Sequence, residues 1–268
     1  MFKTSISRLR SGLQPRRVAP EDAASHLFLA PPFDERMAGA ARLISTKLSI
    51  KADEESRLLW QAEANQAAMV EYNALRPLFA AMEKPRKVLE IGPGLGRSVV
   101  VFSKLKVWEK DAAIHIYDTD GRQTKYKQEH YSAPPKWPDV SSFCGNLSIL
   151  REVLAFNGVS NFTVFDAAQT PLSKLPGPYD LIYGFYSVGF HWSLEYYLDD
   201  IGPLMKDRTV LVCTLNKHFA PFPRLKNFSA RILQSKELKK GSRPLSFLAI
   251  SKGELPQVGA SISDVYGG

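Results

Sequence analysis

The chain has 268 residues, 44% of them hydrophobic and 23% charged, with a formal net charge of +8. That length and balance describe a globular chain with room for one large α/β domain plus an extension. Two cysteines, Cys144 and Cys213, argue against a disulfide framework. Five histidines without paired-ligand spacing lead us to expect no bound metal, and no apolar run reaches the ~18 residues of a membrane span.

The positive charge falls in two blocks. Residues 1–20 hold Lys3, Arg8, Arg10, Arg16 and Arg17 with no acid, and residues 202–243 hold ten Lys or Arg against Asp207 and Glu237. Such blocks suit an anionic partner (a phosphorylated small molecule, a nucleic acid or a membrane surface) or simply a solvated face. The acid-free start, with its Arg and Ser, is similar to an organelle transit segment. Few cysteines fit a reducing compartment, so the cytoplasm is expected, with an organellar matrix as the alternative.

In chain order, residues 1–52 are broken by Pro15, Pro20, Pro31 and Pro32. From Asp53 to about Lys84 the pattern is helical, with acids in the first turn and Pro77 set to kink or split the helix. The chain then alternates. Strands are expected at "KVLEIG", "AIHIYDTD", "NFTVFDA", "YDLIYGFYSV" and "TVLVCTL", and helices at "RSVVVFSKL", "NLSILREVLAFNGV" and "SLEYYLDDIGPLM". Two more strands, "FSARILQSKEL" and "RPLSFLAISKG", flank a Lys-Lys-Gly-Ser turn. Alternation of this length predicts a doubly wound, Rossmann-like, mostly parallel sheet closed by an antiparallel pair at its edge.

The stretch "VLEIGPGLGRS" runs from a buried strand through a glycine turn into a helix. Gly92, Gly94 and Gly96 fall at every second residue. A dinucleotide turn requires its third glycine at position 97, which is Arg97, and a phosphate loop requires a lysine that is absent here. Glu90, just before the turn, repels a pyrophosphate and suits a ligand with an ammonium and a sulfonium group.

This Glu-x-Gly-x-Gly-x-Gly pattern resembles the first motif of the class I S-adenosylmethionine-dependent methyltransferases, and the likeness extends over residues 86–252. The resemblance implies a seven-stranded sheet with an antiparallel C-terminal edge strand, preceded by N-terminal helices. Residues 1–84 would be a basic segment and helical cap, and residues 85–268 the cofactor domain. It implies S-adenosyl-L-methionine as cofactor, bound by Glu90, Gly92, Gly94 and Gly96. Asp118 would accept the ribose hydroxyls, with Asp120 as the fallback, and Asp166 with Ala167 would face the adenine amine. The long stretch between Asp118 and Asn146 departs from a short crossover.

The acceptor is read from the residues after the fourth strand. The diproline motif of adenine amino methyltransferases and the aspartate of ribose 2′-O and metal-dependent enzymes are absent there. His191 and Trp192 follow instead, and a histidine can take the proton of an alcohol as the methyl arrives. The segment "YSVGFHWSLEYYL" is similar to the corresponding part of bacterial proteins assigned as sugar O-methyltransferases. The expected acceptor is therefore a small polar molecule, a sugar or nucleotide-sugar, met by Tyr186, Trp192, Tyr196 and Lys217, with His191 as base. The rival readings are an RNA or other nucleic-acid methyltransferase and a non-catalytic module that keeps the cofactor fold.

Overall fold

The computed structural model describes residues 26–44, 50–120, 145–189, 193–215, 223–235 and 245–261. Five parallel strands form as the alternation predicts: β1 (Lys87–Ile91), β2 (Ala113–Asp118), β3 (Phe162–Asp166), β4 (Tyr179–Gly184) and β5 (Met205–Thr214). β6 (Ser229–Gln234), β7 (Ser246–Ser251) and the two-residue β8 (Ala260–Ser261) complete the sheet, in the order β3-β2-β1-β4-β5-β7-β6-β8. β7 is antiparallel to both of its neighbours, β5 and β6. Parallel strands in this order, with β7 inserted antiparallel, are the doubly wound α/β arrangement typical of class I S-adenosylmethionine-dependent methyltransferases. β8, one strand beyond the seven expected, pairs antiparallel along β6.

Side chains alternate across the sheet, so Val88, Ile116, Leu181, Tyr183, Val212 and Phe247 enter one core and Leu89, Ile91, Ile182, Leu211 and Leu248 the other. The first core is covered by α2 (Glu54–Ala81), α3 (Arg97–Lys104) and α4 (Leu147–Phe156), and the second by α5 (Leu194–Ile201). Burial on both faces explains why the central strands read as near-continuous apolar runs. α2 passes through Pro77 unbroken. Pro77 and Asn73, whose carbonyl loses its helical donor there, are both exposed, so water can satisfy that group. The fifth strand starts four residues earlier than its apolar run because Pro203 ends the preceding helix in a short 3₁₀ turn, Gly202–Leu204.

α1 (Glu35–Ile44) and the segment before it lie against the same core as the sheet. Three consecutive backbone units in that segment are held by side chains. The Asn65 amide both accepts from Phe28 N and donates to Phe28 O, each at 2.8 Å. Asn157 does the same for Leu29, also at 2.8 Å. Gln61 accepts from Ala30 N at 3.0 Å and Arg57 donates to Ala30 O at 2.9 Å. Every polar backbone group of the three residues is thereby satisfied without a partner strand. Among the described residues, no helix is long and apolar enough to cross a membrane.

β1 pairs with β2 on one side and β4 on the other, so the connections diverge at its carboxyl end. In open α/β sheets, ligands bind at such a point.

Candidate active site

The glycine turn follows the carboxyl end of β1 at that point. Gly92 N continues the ladder to Tyr117 O at 2.8 Å, and all three glycines have positive φ, at 66°, 62° and 77° in chain order. Two of them answer to packing. A Cβ on Gly92 would lie 2.5 Å from Ser187 Cβ, and one on Gly96 would lie 2.9 Å from methyls of Leu150 and Leu154 on α4. The middle one, Gly94, turns its amide to the Asp118 carboxylate.

Asp118 and Asp166 close neighbouring strands in direct register. Asp118 Oδ1 accepts from Thr119 N at 2.8 Å, and the Thr119 hydroxyl donates to Asp166 Oδ1 at 2.8 Å, so one threonine ties the two acids together. Asp166 also accepts from Ala168 N, and Ala167 N donates to Asp118 O, both at 2.8 Å. Burial pushes the Asp118 carboxyl up to about 7, against the pull of the Thr119 and Gly94 amides. Asp120 does something else: its Oδ1 accepts from Leu147 N at 2.6 Å, holding the first turn of α4.

Sequence reasoning named Glu90 and missed the Glu71–Arg97 pair beside it. Glu71 on α2 and Glu90 on β1 are 1% and 2% exposed. Glu71 Oε1 accepts from Arg97 Nη2 at 2.5 Å and its Oε2 accepts from the Ser98 hydroxyl at 3.1 Å. Glu90 accepts from the Tyr183 hydroxyl at 3.1 Å. Burial, reinforced by the charge of Glu71, pushes the Glu90 carboxyl up to about 8, and the same burial raises Glu71. A signal existed: Trp60, Ala64, Ala68, Leu75 and Leu78 form the buried stripe of α2, and Glu71 sits within it. A glutamate on an apolar stripe requires a buried partner.

The chain leaving β4 is constrained. Tyr186 has φ 64° without being glycine, and its ring lies 5.7 Å from the Arg97 guanidinium. Ser187 Oγ donates to Ile91 O at 2.5 Å, joining this exit to β1. Left-handed backbone in a bulky residue persists where surrounding contacts over-determine it, as at functional sites. Of the other residues expected to meet the acceptor, His191, Trp192 and Lys217 lie outside the described residues, as does the side chain of Tyr196 on α5. Arg224 of the second basic block pairs with Asp199 and donates to the Glu195 carbonyl at 2.8 Å. No group of three or more His, Cys, Asp or Glu among the described residues is arranged to hold a metal ion.

No protein-family model and no curated protein matches the chain. Solved structures resemble it in chain path. Precorrin-6y C5,15-methyltransferase from Geobacter metallireducens GS-15 is 15% identical with a TM-score of 0.45, over 70% of this chain and 89% of that one. Cofactor-bound Rv0187 from MTB is 14% identical with a TM-score of 0.46, over 81% and 88%. TrmN from Thermus thermophilus is 14% identical with a TM-score of 0.44, over 69% and 48%. The fold itself rests on the strand order and directions above.

Proposed function

We propose that the chain is an S-adenosyl-L-methionine-dependent methyltransferase whose acceptor is a hydroxyl of a sugar or another small polar molecule. The observation that carries this reading is the charge balance at the glycine turn. Glu71, Glu90 and Asp118 are buried there, and Arg97 is committed to Glu71. A phosphate would find the Arg97 charge already taken by Glu71, whereas an ammonium group would favour the ionised form of Glu90 and pair with it.

The residues present fit the cofactor. A carboxylate offers about four acceptor sites, and Asp118 has the Thr119 and Gly94 amides on it, leaving room for a pair of ribose hydroxyls. Gly94 lets the backbone approach the ligand, and Glu90 receives the ammonium end. Asp166 and Ala167, one strand over, face the adenine amine. Bound there, the cofactor supplies a methyl group on a sulfonium, transferred in line to a nucleophile.

On the acceptor side His191 takes the proton of the hydroxyl as the new O–C bond forms. Tyr186, Trp192, Tyr196 and Lys217 position the acceptor. An RNA acceptor is the rival within the family, and the ion pairs of the second basic block weigh against it. Lys206 meets Asp180 at 2.5 Å, Arg208 meets Glu83 at 3.2 Å and Arg224 meets Asp199.

Calorimetric titration with S-adenosylmethionine, S-adenosylhomocysteine and NADH tests the cofactor, with binding expected for the first two alone. NADH binding without either adenosyl ligand would refute the reading. Incubation with methyl-labelled cofactor and a panel of sugars, nucleotide-sugars, small acids and total RNA then tests the acceptor, with label expected on a sugar.

A further inference from the structure

Arg97 opens α3 directly behind the glycine turn, and a cationic side chain at a helix N-terminus is a place for phosphate. Its Nε is buried without a hydrogen-bond partner, so the guanidinium has a donor to spare. The neighbour that decides its charge comes from outside the alternating sheet region. Glu71 reaches across from α2 and takes an Arg97 N–H at 2.5 Å. Four charged or titratable groups then face Glu90: Tyr183 from β4, Glu71 from α2, Arg97 from α3 and Asp118 from β2. Arg97 is the one cation among them, and Glu71 holds it.

Building on the proposed cofactor, we propose that Glu71 is the specificity-determining residue of this site. By neutralising Arg97, it leaves Glu90 to be satisfied by a ligand ammonium, so the turn admits an amino-acid-bearing adenosyl ligand and rejects nucleotide phosphates. The same arrangement couples binding to a proton. Burial holds the Glu90 carboxyl up at about 8, so it is protonated at neutral pH in the free protein. An ammonium beside it favours the ionised form, and the proton leaves to solvent as the ligand enters. Asp118, raised to about 7, adds to the release when ribose hydroxyls donate to it.

The test is calorimetry on the full chain, wild type and Glu71→Gln, with S-adenosylhomocysteine and ATP as separate probes. Wild type is expected to bind S-adenosylhomocysteine and not ATP, releasing about one proton near neutral pH, read from the dependence of the heat on buffer ionisation enthalpy. Glu71→Gln frees the Arg97 charge to pair with Glu90. It should lose about tenfold or more in S-adenosylhomocysteine affinity, gain measurable ATP binding and lose the Glu90 share of the proton release. An unchanged preference between the two probes overturns the proposal, as does wild-type binding without proton release. Should Glu71→Gln not fold, the wild-type proton count and Arg97→Gln still decide. Arg97→Gln should go on rejecting ATP, and ATP binding by it would overturn the proposal. Failure of wild type to bind S-adenosylhomocysteine at any pH removes the cofactor reading itself, an outcome distinct from binding without proton release.

Discussion

Gly92 and Gly158 offer a matched pair of substitutions that separate backbone conformation from contact. Both have left-handed backbone, with φ of 66° and 74°. A Cβ on Gly158 meets nothing within 4 Å, whereas one on Gly92 falls 2.5 Å from Ser187 Cβ and 2.8 Å from its Oγ. Each alanine therefore carries the left-handed cost of about 1–2 kcal/mol. Gly92→Ala adds overpacking of about 1–3 kcal/mol, for a total of roughly 2–5 kcal/mol. At roughly 2–4 °C per kcal/mol for a domain of this size, the two variants should melt at clearly different temperatures. Urea unfolding followed by fluorescence measures both losses. Calorimetry with S-adenosylhomocysteine should show weakened binding in Gly92→Ala alone, because that clash pushes the glycine turn away from the exit of β4. A Ser187→Gly change removes both clashing atoms, at the loss of the hydrogen bond from Ser187 Oγ to Ile91 O. The double variant should recover stability relative to the sum of the singles, with a coupling of about 0.5–3 kcal/mol. Equal destabilisation by the two alanines, or no coupling to Ser187, would refute the argument that Gly92 is set by contact.

Asp118→Asn should weaken S-adenosylhomocysteine binding by about tenfold or more while the fold persists. Asp120→Ala should instead cost about 0.5–2 kcal/mol of stability through the first turn of α4 and leave affinity unchanged; the reverse pattern would move the ribose acceptor to Asp120. Glu90 and Asp118 have carboxyls raised by burial to about 8 and about 7. Their folded values lie above their unfolded ones, so their contribution is full below the ordinary carboxylate range and is lost as pH rises through 7 to 8. The urea midpoint of the ligand-free protein should therefore fall between about pH 5 and about pH 8, and saturating S-adenosylhomocysteine should flatten the slope. A midpoint that climbs over that window would contradict the burial of these acids. Asn65→Ala strands both backbone groups of Phe28 and should lower stability by about 1–3 kcal/mol in urea unfolding; a loss within error would show that segment to be loosely attached.

What could be read ahead of the structure was what is local. Strand and helix periods, the three-glycine spacing and an acid at each of three strand ends are written in runs of a few residues, and parallel strands bring those ends together by construction. Contacts between distant elements left weaker marks. Glu71 interrupts an apolar stripe, which signals a partner without naming Arg97, 26 positions away. Asn157 reads as an ordinary helix-ending residue, and nothing near it announces that it holds Leu29, 128 positions earlier. The left-handed backbone of Tyr186 is unreadable in principle, since tyrosine has no preference for it and tertiary contacts impose it.

The connection from β3 to β4 carries a hydrogen-bonded turn at residues 167–169 and the 3₁₀ segment Leu172–Lys174. β3 is an edge strand, and all five of its residues are at least partly exposed, whereas four of the five in β1 are buried. The acids at the turn thus stand on supports of unequal burial, with Glu90 on an interior strand and Asp166 on an edge strand. Amide hydrogen exchange follows local opening, so β3 should exchange well before β1 in the free protein. A ligand spanning both would find its amino-acid end preformed and would have to order its adenine end, and its arrival should be recorded as slowed exchange at Val164 to Ala168 far more than at Leu89 to Gly92.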